Sequence, residues 1–277
     1  MSGPSFTGRV ALVTDKVMDR DVTGGGSGIG RAICRVLARD GASVVVADVN
    51  LQNSQDTVNM LPGPGEHLAL LMDVKEKSSV DSGIKAIIDK YQTPPSLLAN
   101  SAGISSKCAF TDMDENTFMR VIDVNLKGTF LVSQAMANSL LERGKVQGAI
   151  VNIASYAAVL GLPTHCQYAA SKGGVVSLTK TCSSELIKKG IRVNCVLPGA
   201  IETPMIAGVP KAVLEAAAAQ TPIGRIGQPE EMTKIMLKKI RCSSPSSEVA
   251  EVVAFLLSDK SSYMVGTCVE VNGGHGQ

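Results

Sequence analysis

A chain of 277 residues is long enough for one large α/β domain, and its near-balanced charge of +2 gives no electrostatic footprint for nucleic acid. Aromatic residues make up 3% and tryptophan is absent, which removes the stacking platforms that single-stranded nucleic acid uses. The seven cysteines (Cys34, Cys108, Cys166, Cys182, Cys195, Cys242, Cys268) include no C-x-x-C pair, and His67, His165 and His275 are dispersed, so neither a disulfide framework nor a metal site is expected.

From the N-terminus, apolar β-branched runs alternate with stretches of helical period. Strands are predicted at Val10–Val13, Ser43–Ala47, Leu68–Met72, Ser96–Ala99, Ala149–Ile153, Arg192–Leu197 and Cys268–Val271. Helices are predicted at Gly30–Asp40, Ser78–Tyr91, Glu115–Leu141 and Tyr168–Lys189. Strands apolar at successive positions imply burial on both faces, which is the signature of a parallel sheet covered by helices. The expected fold is a single-domain Rossmann α/β unit over residues 1–277, a doubly wound parallel sheet of about seven strands. No apolar run reaches the roughly 18 residues of a membrane span. With the first strand starting near Arg9, no cleaved signal or transit peptide is expected either. Two segments break the rhythm, Asp15–Thr23 and Met232–Glu248, and both read as insertions.

Three features carry chemistry. Thr23-Gly-Gly-Gly-Ser-Gly-Ile-Gly30 opens onto a helix, so its backbone amides and the helix N-terminus suit a pyrophosphate. Asp48 ends the next predicted strand, 18 residues beyond Gly30, near the spacing of an acid that accepts from ribose hydroxyls. Such a carboxylate repels a 2′-phosphate, and no Arg or Lys lies within the loop or directly after Asp48, so NAD(H) is preferred over NADP(H). Tyr168 and Lys172 are spaced i, i+4, which stacks them on one helix face. An ammonium about 4 Å from the phenol is worth about 4 kcal/mol at an effective dielectric near 20, enough to pull the phenol toward neutrality for proton exchange with an alcohol or ketone.

Together these motifs resemble the short-chain dehydrogenase/reductase family, and the resemblance covers nearly the whole chain. It implies a cofactor loop of Thr23, Gly24, Gly26, Ser27, Gly28, Ile29 and Gly30. Asp73-Val74 matches the adenine-contacting segment, and Asn100-Ser-Ala-Gly103, with Ala102 and Gly103, matches a family strand end in which serine replaces the usual second asparagine. Val124-Asn125-Leu-Lys-Gly resembles the segment with the helix-kinking asparagine. Pro198-Gly199-Ala-Ile201-Glu-Thr203 resembles the segment that closes over the nicotinamide. Ser155 lies 13 residues before Tyr168, as the family's catalytic serine does. The implied roles are Ser155 holding the reacting oxygen, Tyr168 exchanging the proton, and Lys172 lowering the tyrosine pKa while holding the nicotinamide ribose. Asn125 would bind a water that links Lys172 to solvent. Tyr156 has leucine at its i+4 position, and Ser155 lacks a G-x-S-x-G elbow that would pair it with His165, so both mimics are set aside.

Within the family, the densest similarity is to members acting on 3-hydroxyacyl or 3-ketoacyl thioesters of fatty acid synthesis and on 17β-hydroxysteroids (estradiol/estrone). The expected substrate is therefore a small molecule, an acyl thioester or a steroid. Recognition is assigned to the apolar segments Ile201–Ile223 and Ala157–Gln167, with Arg120 and Lys127 as docking charges for a phosphopantetheine carrier. Further implications are a homotetramer, or a mixed tetramer with a related reductase, and the mitochondrial matrix, with the cytoplasm as alternative. A competing expectation is a non-catalytic NAD-fold protein or scaffold subunit whose cofactor seat is impaired by the Asp15–Thr23 insertion. Nine residues can loop out for a few kcal/mol, yet a 1 Å shift of the pyrophosphate amides costs about 100-fold in rate.

Overall fold

The structure is a computed structural model and describes residues 5–15, 28–144, 147–199, 201, 219, 222 and 248–274. Seven strands form one parallel sheet: β1 (Val10–Thr14), β2 (Ser43–Asp48), β3 (Leu68–Leu71), β4 (Leu97–Asn100), β5 (Gly148–Ile153), β6 (Ile191–Pro198) and β7 (Cys268–Val271). Their spatial order is β3-β2-β1-β4-β5-β6-β7, so the sheet grows in opposite directions from the β1/β4 boundary. The helices are α1 (Ile29–Arg39), α2 (Leu51–Val58), α3 (Lys77–Tyr91), α4 (Glu115–Ile122), α5 (Gly128–Glu142), α6 (Cys166–Leu186) and α7 (Glu248–Leu257).

Strand composition follows from the two layers that cover the sheet. Ala11 and Val13 of β1 point into a core shared with α1 and α7, whereas Val10 and Leu12 point into a core shared with α3 and α5. The same alternation sends Val44 and Val46 one way and Val45 and Ala47 the other. Neither face is left for solvent, so β1 and β2 carry apolar residues at nearly every position.

The expected strands all form, with shifted ends. Ser96–Ala99 becomes Leu97–Asn100 because the β1–β4 ladder runs from Ala11↔Leu97 to Thr14↔Asn100. Two helices lie outside the four predicted, α2 and α7; α2, LQNSQDTV, has no apolar stripe, buries Ser54 and Thr57, and is started by the Asn50 side chain accepting from the Gln52 amide at 2.9 Å. The predicted continuous helix Glu115–Leu141 is instead two helices. Asp114 caps α4 through the Thr117 amide at 2.9 Å, and a π-helical turn at Asp123–Lys127 then joins α4 to α5, the Gly128 amide reaching back to the Asp123 carbonyl.

Candidate active site

The described candidate residues gather at the C-terminal ends of the strands. Asp48, Asn100 and Pro198 are the last residues of β2, β4 and β6, and Asp73 and Ser155 lie two positions beyond β3 and β5. In an open doubly wound sheet this edge, at the point where strand order reverses, is where ligands bind.

Ser155 ends the extended backbone leaving β5 and caps a short 3-10 turn, Tyr156–Ala158, its Oγ accepting from the Ala157 amide at 3.1 Å. The Tyr168 hydroxyl is close enough to Ser155 for that side chain to favour the phenolate. Lys172, one turn further along α6, is buried. Its Nζ lies 5.7 Å from the Tyr168 ring centroid and donates to the Ile153 carbonyl at 2.8 Å. Burial pushes the Tyr168 phenol above its ordinary value, and the nearby Ser155 side chain offsets only part of that. Burial also brings Lys172 down to about 8, with the nearby Cys195 acting in the opposite sense.

These directions correct the expectation that Lys172 draws the phenol toward neutrality. The lysine points at a carbonyl of β5, and desolvation of the phenolate outweighs the pull of a cation that is itself disfavoured by burial.

Asn125 sits in the π turn, fully buried. Its Nδ2 donates to the Ile104 carbonyl (2.9 Å) and to Ser171 Oγ (3.0 Å), and its Oδ1 accepts from the Ile104 amide (2.8 Å). Ser171 lies between Tyr168 and Lys172 in sequence, so the π turn is tied directly to the catalytic helix. Gly103 fills the gap behind: a Cβ there would lie 3.3 Å from Lys172 Nζ and 3.4 Å from Asn125 Oδ1. The expected proximity of Asn125 and Lys172 is thus present, across a residue that has to be small.

Beneath them runs a buried polar ladder of which Asn100 alone was among the sequence-based candidates. Asn100 Nδ2 donates to Ser133 Oγ (2.9 Å) and to Asn152 Oδ1 (2.8 Å), and Asn152 Nδ2 donates to Thr179 Oγ1 (2.9 Å). Asn100 and Asn152 are register partners on β4 and β5, and each follows an apolar run, which is the signal that marks them. The ladder pins the ends of β4 and β5 to α5 and α6. Gln167, immediately before Tyr168, is also buried and donates to Ser106 at its carbonyl (2.7 Å) and hydroxyl (2.8 Å).

On the cofactor side, Thr23, Gly24, Gly26, Ser27 and Thr203 lie outside the described residues, as do nearly all of Asp15–Thr23 and Met232–Glu248. Gly28 is the N-cap of α1, and Ile29 and Gly30 form its first turn. Asp48 is buried and its Oδ1 accepts from the Asn50 amide at 2.7 Å. Asp73 Oδ1 accepts from the Lys75 amide at 3.1 Å and its Oδ2 lies 3.5 Å from Lys75 Nζ. Val74 and Ala102 are buried; the Ala102 amide faces Thr14 Oγ1 at 3.4 Å. The Gly199 amide bonds the Val271 carbonyl at 2.9 Å, and Ile201 is buried beyond it.

Asp15 was not among the candidates, yet it is the residue pressed most closely on this seat. Its amide continues the ladder to the Ala47 carbonyl at 2.8 Å, and its carboxylate packs on Gly30 so tightly that a Cβ there would lie 2.6 Å from Cγ. A carboxylate beside a helix N-terminus is stabilised by the same partial charge that attracts a phosphate.

Around the mouth, Val159, Leu160 and Leu162 are exposed apolar residues, and Phe110 is 81% exposed. Their two loops are joined where the Cys108 amide bonds the Thr164 carbonyl at 3.0 Å. His165 Nδ1 lies 2.9 Å from the Pro163 carbonyl, away from Ser155 chemistry. Lys127 is 3.8 Å from Asp123 on its own helix, and Arg120 is half-buried on α4.

The donor set suits a nicotinamide dinucleotide: a helix start with a glycine N-cap, an acid at the end of β2, and a buried lysine with a half-buried tyrosine at the far end. Asp15 is the discordant member. Among the described residues no cluster of His, Cys, Asp or Glu could hold a metal ion, and no helix is long and apolar enough to cross a membrane.

Comparison with known proteins agrees with this geometry. A family model described as Enoyl-(Acyl carrier protein) reductase matches residues 24–238. The chain is 41% identical over 261 residues to a (3R)-3-hydroxyacyl-CoA dehydrogenase of Homo sapiens, covering 91% of this chain and 93% of that protein. It is 36% identical over 254 residues to the 3-oxoacyl-[acyl-carrier-protein] reductase FabG of Thermotoga maritima, covering 91% and 95%. Among solved structures, a short-chain type dehydrogenase/reductase from Mycobacterium marinum superimposes with a TM-score of 0.81 at 27% identity, covering 98% of this chain and 97% of that one.

Proposed function

Because this chain belongs to the short-chain dehydrogenase/reductase family and is an oxidoreductase that works with a nicotinamide cofactor, we propose that it interconverts 3-hydroxyacyl and 3-ketoacyl thioesters with NAD(H). The observation that carries this reading is the buried Lys172 one helical turn from Tyr168, with Ser155 beside the phenol. The names of the human and Thermotoga relatives point to the same substrate class.

In this proposal the bound cofactor supplies or accepts the hydride. Ser155 Oγ donates to the carbonyl oxygen of the ketone and fixes its carbon in line for attack. Tyr168 Oη gives its proton to that oxygen as negative charge develops; in oxidation it takes the proton back. A phenol raised by burial stays protonated at neutral pH, which suits the reductive direction. Lys172 Nζ would hold the nicotinamide ribose and pass the replacement proton to Tyr168 from the side of Asn125, whose amide is locked by Ile104 and Ser171. Asp48 accepts from the adenosine ribose, and its buried carboxylate disfavours a 2′-phosphate. Gly28, Ile29 and Gly30 present the start of α1 to the diphosphate together with Thr23, Gly24, Gly26 and Ser27. Asp73 and Val74 flank the adenine, and Asn100, Ala102 and Gly103 line the path of the cofactor. Pro198, Gly199, Ile201 and Thr203 close over the nicotinamide.

The exposed apolar rim of Phe110, Val159, Leu160 and Leu162 favours an acyl chain lying across the mouth. A 17β-hydroxysteroid is the second substrate the same rim accommodates. Steady-state assays with acetoacetyl-CoA and estradiol, each with NAD(H) and NADP(H), test both choices. The reading predicts turnover of acetoacetyl-CoA with NADH; turnover confined to NADPH would remove the Asp48 argument.

A second reading rests on Asp15. Its carboxylate against Gly30 favours a protein of this fold whose cofactor seat is impaired and which serves as a scaffold subunit. NADH titration followed by tryptophan-free fluorescence of the nucleotide distinguishes the two, since no binding at millimolar NADH leaves only the scaffold.

A homotetramer, or a mixed tetramer with a related reductase, is supported by exposed Met119 on α4 and Phe130 on α5, on the helices that family resemblance places at the interface. Light scattering at micromolar concentration tests it. The same resemblance supports the mitochondrial matrix, and subcellular fractionation separates that from the cytoplasm.

A further inference from the structure

The edge of the sheet carries a pair of thiols that the proposed chemistry does not use. Cys195 on β6 and Cys268 on β7 are direct register partners in neighbouring parallel strands. Cys195 Sγ donates to the Val196 carbonyl at 3.8 Å. Cys195 is fully buried among Ala154, Val175 and Leu197, whereas Cys268 packs against the same cluster and remains partly exposed. Neighbouring strands lie about 4.8 Å apart, which puts register-paired Cα atoms within the roughly 4.4–6.8 Å span of a disulfide.

We infer that Cys195 and Cys268 form a thiol–disulfide exchange site, entered by small disulfides at Cys268 and resolved by Cys195. Its co-reactant is a low-molecular-weight disulfide of the glutathione class. The Cys268 thiolate attacks one sulfur of glutathione disulfide, the small molecule's S–S bond breaks, and one glutathione leaves, taking up the proton that Cys268 lost. Cys195 then attacks the Cys268 sulfur of the mixed disulfide and forms the cross-strand bond. The second glutathione leaves with the Cys195 proton. Two protein thiols are oxidised and one small disulfide is reduced.

The order of attack follows from the surroundings. Cys268 is partly exposed, the neighbouring Cys195 lowers its thiol and Lys180 favours the thiolate further, whereas Cys268 and burial raise the fully buried Cys195. The thiolate is the nucleophile, so the half-exposed sulfur is the one that reacts first.

The test uses the full chain incubated with glutathione disulfide, alkylated after denaturation and peptide-mapped. The expected result is a linked Cys195–Cys268 peptide and the loss of two free thiols, reversed by dithiothreitol. Cys195→Ser should stop at one glutathione on Cys268, and Cys268→Ser should leave Cys195 unmodified. Cys34, fully buried in the other core layer, should stay unmodified while the protein is folded. The inference is overturned if folded wild-type protein keeps both thiols under conditions that fully oxidise dithiothreitol, or if Cys268→Ser loses as many thiols as wild type. Mapping of the wild-type chain decides the matter even where a variant fails to fold.

Discussion

The two ends of the proposed active site are built on different principles. On the β4–β5–α6 side, buried polar groups meet partners on neighbouring elements: Asn100 with Asn152 and Ser133, Asn152 with Thr179, Asn125 with Ile104 and Ser171, Lys172 with Ile153. On the β1–α1 side, a carboxylate is pressed against the first turn of the helix that is to receive a diphosphate. The first arrangement fixes geometry, because each group is held by a neighbour that would lose its own hydrogen bond if it moved. The second sets two anions in competition for one helix N-terminus. Chemistry and cofactor affinity are therefore separable here, and substitutions should move one without the other.

The largest separation is expected at Tyr168. Tyr168→Phe removes the proton donor and should lower turnover of acetoacetyl-CoA by about 10²–10⁴-fold, with NADH affinity, read by fluorescence titration, unchanged. Comparable loss of both would merge the two ends into one unit.

Lys172 tests how far burial governs the catalytic end. Unfolded, this lysine keeps its proton up to its ordinary 10.5, while the folded one releases it near 8. The unfolded state binds more protons in that window, so stability should climb from about pH 8 to 10.5, by about 3 kcal/mol. Above pH 10 the raised Tyr168 phenol works the other way, because the folded state then holds the extra proton. Denaturant unfolding of wild type against Lys172→Met across pH 7–10 should show the climb in wild type alone.

Asn152→Ala should cost about 1–3 kcal/mol by leaving Asn100 Nδ2 without its oxygen and Thr179 without its donor. A fall in Tm of roughly 3–10 °C in calorimetry is the expected readout. The smallest effect belongs to the other end: Asp15→Asn should tighten NADH binding by about tenfold, on the order of 1 kcal/mol, without changing the rate of bound substrate. Weaker binding in Asp15→Asn, measured by titration, would show instead that the carboxylate supports the seat.

How much of this was legible beforehand depends on whether the cause is local. Strands β1, β2, β4 and β5 were readable because burial on both faces writes itself as a nearly continuous apolar run, as in VALVT and SVVVAD. The pair Tyr168 and Lys172 was readable because an i, i+4 spacing survives folding once the segment is helical, whereas Ser155, 13 residues earlier, came from the family resemblance. Helix α2 was not, since LQNSQDTV is held by a cap and by its place over the sheet rather than by an apolar stripe. Nor was the exact site of the π turn, a one-residue change of register inside a helical pattern, although resemblance pointed to Asn125. The direction of the Tyr168 shift was missed for a different reason. Sequence spacing gives the distance to Lys172, but desolvation is a property of everything packed around the phenol. The Asn100–Asn152 pair likewise exists only once β4 and β5 are in register.

Single-turnover mixing of the chain–NADH complex with acetoacetyl-CoA tests the central claim most directly. The account predicts stoichiometric oxidation of bound NADH in wild type and none on the same timescale in Tyr168→Phe. A wild-type complex that binds NADH and leaves it unoxidised, or a Tyr168→Phe complex that consumes it at the wild-type rate, would contradict it.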